Sequence, residues 1–228
     1  MTARTYGQYC GLAAALDVLG ERWTMLILRE LALGPKRYSD LLERLPGIGT
    51  NLLAARLKAL DAAGVVHRPD AAGYALTPRG EQLRPALDSL ARWGWELLPD
   101  QPKAGSVRAP WAAMLMRAQM EASGGPGVAA IVDFDVGGER FWLRADAERA
   151  DLRDGPAPVR ADVTARCDLP TFTALATGRT DAREAIRSGA LEIEGDRRLL
   201  EQLLRRFRLP ARTNLSSMPG FPGRMRNL

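Results

Sequence analysis

Apolar residues recur along the first part of the chain with the spacing of helices, each run closed by a breaker. Leu12, Leu16 and Leu19 share one helical face, and Gly20 ends it. Trp23, Ile27 and Leu31 form a second stripe, stopped by Gly34-Pro35. A short third helix follows, with Tyr38 or Ser39 near its start and Leu41, Leu42 and Leu45 apolar. After the tight turn Pro46-Gly47-Ile48-Gly49, the pattern predicts a helix from about Asn51 to Ala63, with Thr50 as its cap. Val65–Arg68 and Tyr74–Leu76 read as two strands around Pro69–Gly73, a hairpin. A long helix is expected after Thr77-Pro78, carrying Leu83, Leu87, Leu90 and Leu97, with Pro85 either kinking it or marking its first turn.

The helix after the tight turn has the most informative pattern. Leu53, Leu57 and Leu60 make its apolar stripe, and Asn51, Ala55, Lys58 and Ala62 lie opposite at 100° per residue. That outer face is small and polar, with one amide and one cation. Entry into a DNA major groove requires little bulk, a group able to read a base edge, and cations for phosphate. An ordinary solvated helix face has the same gross character; the order helix, turn, helix, hairpin is what favours DNA.

Residues 99–108 hold Pro, Gly and Ser without apolar period and read as a linker. Beyond it, 109–123 predicts a helix, and Val128–Val136 and Glu139–Ala145 predict strands joined by a Gly137-Gly138 turn. A further strand is expected near Ala161–Cys167, a helix capped by Asp168, a short helix near Asp181–Arg187, a strand at Ala190–Glu194, and a closing helix capped by Asp196. Residues 208–228 form a proline-containing basic tail, expected to be flexible. The predicted class is α+β, with a domain over 1–98 and a second over 109–207.

Charge narrows less than it first suggests. The net charge is +5, but Arg208, Arg212, Arg224 and Arg226 supply +4 of it, leaving +1 for residues 1–207. Phosphate attraction therefore depends on local placement of cations. No apolar run approaches the roughly 20 residues of a membrane span, and the first residues lack a secretory signal pattern, so a cytoplasmic protein is expected. One histidine, His67, and two distant cysteines, Cys10 and Cys167, cannot close a zinc site. Phosphate-cradling, dinucleotide and nucleophile-elbow motifs are missing, so neither enzyme activity nor a cofactor or metal is expected.

Cys10 with LDVLGERWTMLILREL (16–31), GPKRYSDLLERLPGI (34–48), LLAARLKALDAAGVVHR (52–68), YALTPRGEQL (74–83) and WGWELL (93–98) resembles the HxlR-type winged helix-turn-helix regulators. The resemblance implies a homodimer on double-stranded DNA, paired through the first and last helices. Arg37, Thr50, Asn51, Ala55, Arg56, Lys58 and Arg68 are then the candidate DNA contacts. Some relatives use a cysteine at the place of Cys10 to sense oxidants or electrophiles, so Cys10 is either a redox switch or a packing thiol. FDVGGERFWL (134–143), ALATGRTDAREAIRSGALEIEGD (174–196) and LLEQLLRRF (199–207) resemble the sterol-carrier-protein-like α+β fold. That implies an apolar effector cavity lined by Trp111, Leu115, Phe134, Phe141, Phe172 and Leu203, the alternative being that these residues are plain core. A hydrophobic-ligand carrier or sensor, with the winged helix serving dimerisation, is the competing functional reading.

Overall fold

The computed structural model describes residues 5–70, 73–99 and 105–209. The expected hairpin tip at 71–72, the middle of the expected linker and the tail beyond 209 lie outside them. The chain divides into two compact units between Leu87 and Asp88.

The first unit contains α1 (Gly11–Leu19), α2 (Thr24–Ala32), α3 (Tyr38–Arg44), α4 (Thr50–Ala62), β1 (Val66–Asp70), β2 (Gly73–Leu76), α5 (Pro78–Glu81) and the start of α6 (Arg84–Trp95). Ile27, Leu28 and Leu31 of α2, Leu41 and Leu45, and Leu53, Leu57 and Leu60 of α4 are fully buried together with Val65 and Val66. Each such side chain contributes about 1.5–3 kcal/mol of apolar burial. Glu30 is also fully buried, its carboxylate held by Arg29 at 2.7 Å and Arg44 at 3.6 Å, which ties α2 to the end of α3.

β1 and β2 pair antiparallel, with Val66 opposite Leu76. Lys36 and Tyr74 exchange two main-chain hydrogen bonds, at 2.9 and 2.8 Å, so the segment before α3 adds a short third edge to the hairpin. Gly73 makes this approach possible: its φ is +105°, and a Cβ there would lie 2.2 Å from the Lys36 carbonyl oxygen.

Two expectations need correction. Gly49, not Thr50, is the N-cap of α4, and Thr50 is its first helical residue. The single long helix after Thr77-Pro78 is two pieces, α5 and α6. Pro85 has no N–H for a continuous ladder but is well tolerated in a first turn, and it is the second residue of α6. In α1, Leu12 and Leu16 are exposed, and among its residues only Ala13 is buried.

The second unit, beyond the rest of α6, contains α7 (Ala109–Ala122), β3 (Ala130–Val136), β4 (Glu139–Ala145), β5 (Ala150–Asp154), β6 (Val163–Cys167), α8 (Leu169–Ala176), α9 (Ala182–Arg187), β7 (Leu191–Gly195) and α10 (Arg197–Arg206). The sheet order is β5-β4-β3-β6-β7. β3 and β6 run parallel, and the other neighbours are antiparallel. Gly137 and Gly138 both have positive φ, +60° and +85°, the combination a tight hairpin of native twist requires. Asp168, Asp181 and Asp196 each accept main-chain N–H bonds at the start of the helix that follows. Strand β5 was not among the expected elements.

Val132, Phe134 and Val136 of β3 and Phe141 and Leu143 of β4 face the helical layer. α7 packs on β4 and β5, and α10 on β6. The opposite face carries Asp133, Asp135, Arg140, Trp142 and Arg144, with Arg140 bonded to Asp133 at 2.6 Å.

Candidate nucleic-acid interface

The outward surface of α4 follows from which of its residues the core takes. Burying Leu53, Leu57 and Leu60 turns Thr50, Asn51, Ala54, Ala55 and Lys58 to solvent. Lys58 forms no ion pair, and the Asn51 side-chain amide no hydrogen bond, among the described residues. α4 thus presents a short amide, small alanines and an unengaged ammonium along one ridge. Its first N–H groups point out of the helix start, where a phosphate oxygen is electrostatically favoured.

The turn before α4 sets where this ridge begins. Gly47 has φ +94°, Ile48 is buried beneath the turn, and the Ile48 N–H donates to the Leu45 carbonyl. The Tyr38 hydroxyl donates to the Thr50 carbonyl at 2.6 Å, joining the first residue of α3 to the first residue of α4. The Asp40 carboxylate accepts the Arg37 N–H at 2.9 Å and completes the start of α3.

The sequence-derived contacts do not all lie alike. Thr50, Asn51, Ala55 and Lys58 share the exposed ridge. Arg37 and Arg68 are exposed and both belong to the hairpin side: Arg37 follows Lys36, which bonds Tyr74, and the Arg68 guanidinium lies 5.7 Å from the Tyr74 ring centroid. Arg56 differs. Its side chain is only 21% exposed, and its guanidinium donates to Glu21 at 2.7 Å and to the Arg22 carbonyl at 3.3 Å. Sequence reasoning missed Glu21, because no periodicity relates positions 35 residues apart.

Cys10 is exposed at the N-cap of α1. Main-chain N–H groups of Ala13 and then Leu12 favour its thiolate and lower its pKa from the ordinary value. Cys167 is half-buried at the end of β6, and burial first, then the carboxylates of Asp168 and Asp135, push its thiol up to about 12.

In the second unit, three of the residues named as cavity lining, Phe134, Phe141 and Phe172, touch one another. Phe134 stacks on Phe141 with ring centroids 5.0 Å apart and on Phe207 at 6.0 Å. Phe172 meets Phe141 edge-on at 5.8 Å. Leu203 is fully buried and Leu115 nearly so, whereas Trp111 is half-exposed with the Arg108 guanidinium 5.9 Å from its ring.

Two family models match separate parts of the chain. The model of the HxlR-like helix-turn-helix family matches residues 18–102, and that of the SCP-2 sterol transfer family matches residues 118–207. The HTH-type transcriptional regulator sll1512 of Synechocystis is 34% identical over 101 residues, 42% of this chain and 75% of the relative. YkvN, an HTH-type transcriptional regulator of Bacillus subtilis, is 37% identical over 91 residues, 37% of this chain and 77% of its own length. Among solved structures, quinone-bound YodB of B. subtilis is 34% identical, covering 37% of this chain and 96% of that one, with a TM-score of 0.35.

Proposed function

Since the chain belongs to the HxlR-like helix-turn-helix family of transcription regulators, we propose that it binds operator DNA as a homodimer, with α4 in the major groove. The observation that carries this reading is the ridge Thr50, Asn51, Ala55 and Lys58, left exposed by a helix whose other side is buried. Asn51 is the base reader, since its amide can pair with an adenine edge, and Lys58 holds phosphate. Arg37 and Arg68 are phosphate contacts from the hairpin side. The DNA-binding part extends to about residue 98, and the SCP-2-like part spans 109–207.

Two-fold pairing places two copies of α4 about one DNA turn, ~34 Å, apart. Exposed apolar side chains support pairing through α1 and α6: Leu12 is 69% exposed, and Trp93 68%. In the second part, an apolar effector is the proposed signal. With Phe134, Phe141, Phe172 and Phe207 in mutual contact, such a ligand must part these rings to enter, and it changes DNA affinity only by binding two protein states unequally.

The test is enrichment of duplexes from a random-sequence pool by the full chain, followed by fluorescence anisotropy on the enriched duplex and a scrambled one. A near-palindrome bound well above the scrambled duplex is expected. Equal binding to both, or no enrichment, overturns the proposal.

A further inference from the structure

We infer that Glu21, which lies outside the reading helix, is a positioning residue for it: through Arg56 it fixes the angle at which α4 presents Asn51 and Lys58. The inference rests on α4 being the DNA-reading helix.

The turn between α1 and α2 is bonded to the helix-turn-helix at one point and lies near it at another. At one, Arg56 on α4 donates to the Glu21 carboxylate at 2.7 Å and to the Arg22 carbonyl at 3.3 Å. At the other, the Trp23 ring lies 3.7 Å from where a Cβ of Gly47 would be, in the turn that leads into α4. Trp23 is the one described non-glycine residue with positive φ, at 78°. Such a backbone persists where its surroundings over-determine it, and here the Arg22 guanidinium lies 5.5 Å from the Trp23 ring centroid. The bonds to Arg56 sit in the second turn of α4 and resist rolling of the helix, while the indole stands beside the turn that precedes it.

Arg56 sits between Asn51 and Lys58 in sequence, yet its guanidinium is drawn back toward α1. Glu21 carries negative charge and is itself unsuited to touching phosphate. The pair is partly exposed, with Glu21 at 56%, and pairs of this kind add little to stability. Its effect therefore falls on how precisely the ridge is held, which governs discrimination between sequences more than bulk attraction to DNA.

The full chain is used, with the duplex it enriches from a random pool and a scrambled duplex of equal length. Glu21→Gln should leave the thermal midpoint and scrambled-duplex affinity unchanged and weaken the enriched duplex by roughly two- to fivefold. Arg56→Glu should weaken both. The exchange Glu21→Arg with Arg56→Glu, neutral in net charge, should restore the enriched-to-scrambled ratio to within about twofold, the recovery a re-formed ion pair of this size provides. Arg56→Gln should leave the salt slope unaltered. An exchange variant as unselective as Arg56→Glu alone, or a slope lowered by about 1 in Arg56→Gln as for a lost phosphate contact, overturns the inference. Wild-type protein that enriches no duplex overturns the DNA reading and this inference together; enrichment without rescue overturns the inference alone.

Discussion

Arg117 of α7 donates to Asp88 of α6, and both side chains are almost entirely removed from solvent. Burial alone would lower the Arg117 pKa; the hydrogen bond and charge of Asp88, joined by Glu121 at 3.0 Å, outweigh it and raise it instead. Glu121 also accepts the N–H of Ala150, so the group anchors the start of β5. Replacing Arg117 with Met strands the buried Asp88 carboxylate, takes a partner from half-buried Glu121, and should cost about 3–5 kcal/mol by urea unfolding. Restoring most of that loss with Asp88→Asn and Glu121→Gln in the same chain would confirm that unpaired charge is the cause; no recovery would show that lost packing is.

Asn51→Ala and Lys58→Ala should fail differently. Loss of the amide should remove about 1–3 kcal/mol of discrimination at one base pair and leave the salt slope unchanged. Loss of the ammonium should weaken all duplexes alike and reduce the slope by about 1. Anisotropy titrations over a salt series separate the two, and unchanged binding in both variants would remove α4 as the reader.

The thiols should part company on alkylation. Iodoacetamide should modify exposed Cys10 in the folded protein, reaching its full rate at lower pH than an unfolded-chain cysteine, because the Ala13 and Leu12 amides favour the thiolate. Cys167, pushed up to about 12, should react only after unfolding. A folded pKa above the unfolded value of about 8.5 means stability is intact below that pH and falls as pH rises toward 12. Cys167→Ala should lessen the alkaline fall in unfolding free energy relative to wild type; parallel curves would refute the assignment.

Pairing of two copies is checked by sedimentation equilibrium. Leu12→Glu on α1 or Trp93→Glu on α6 should shift a dimer toward monomer, since each places a charge in a surface that association desolvates. An unaltered sedimentation profile in both variants would put the interface elsewhere.

How much of this was readable in advance depended on what each side chain meets. Leu53, Leu57 and Leu60 announced α4 because a single stripe at 3.6-residue spacing meets a core, with small polar residues opposite. Leu12 and Leu16 carry the same spacing, but periodicity does not say what covers a stripe, and among the described residues both remain exposed. Leu83, Leu87 and Leu90 keep helical spacing across the break at Gln82 and Leu83, which concealed it. β5 escaped notice because ADLRD offers one large inward residue, Leu152, amid charges that an edge strand readily tolerates. The partner of Arg56 was invisible for another reason: ion pairs between distant segments leave no local pattern, and Arg56 looked like any cation flanking an exposed ridge.

The Trp23 indole beside Gly47 limits how this bend can change. A side chain at position 47 would need a left-handed backbone that L-residues rarely adopt, and its Cβ would already be in van der Waals contact with the indole. Substitution at that bend is thereby disfavoured. If α4 reads DNA as proposed, changes of target should accumulate by exchange of its outward residues, so descendants of this protein should diverge at positions 51, 55 and 58 while 23 and 47 stay the same.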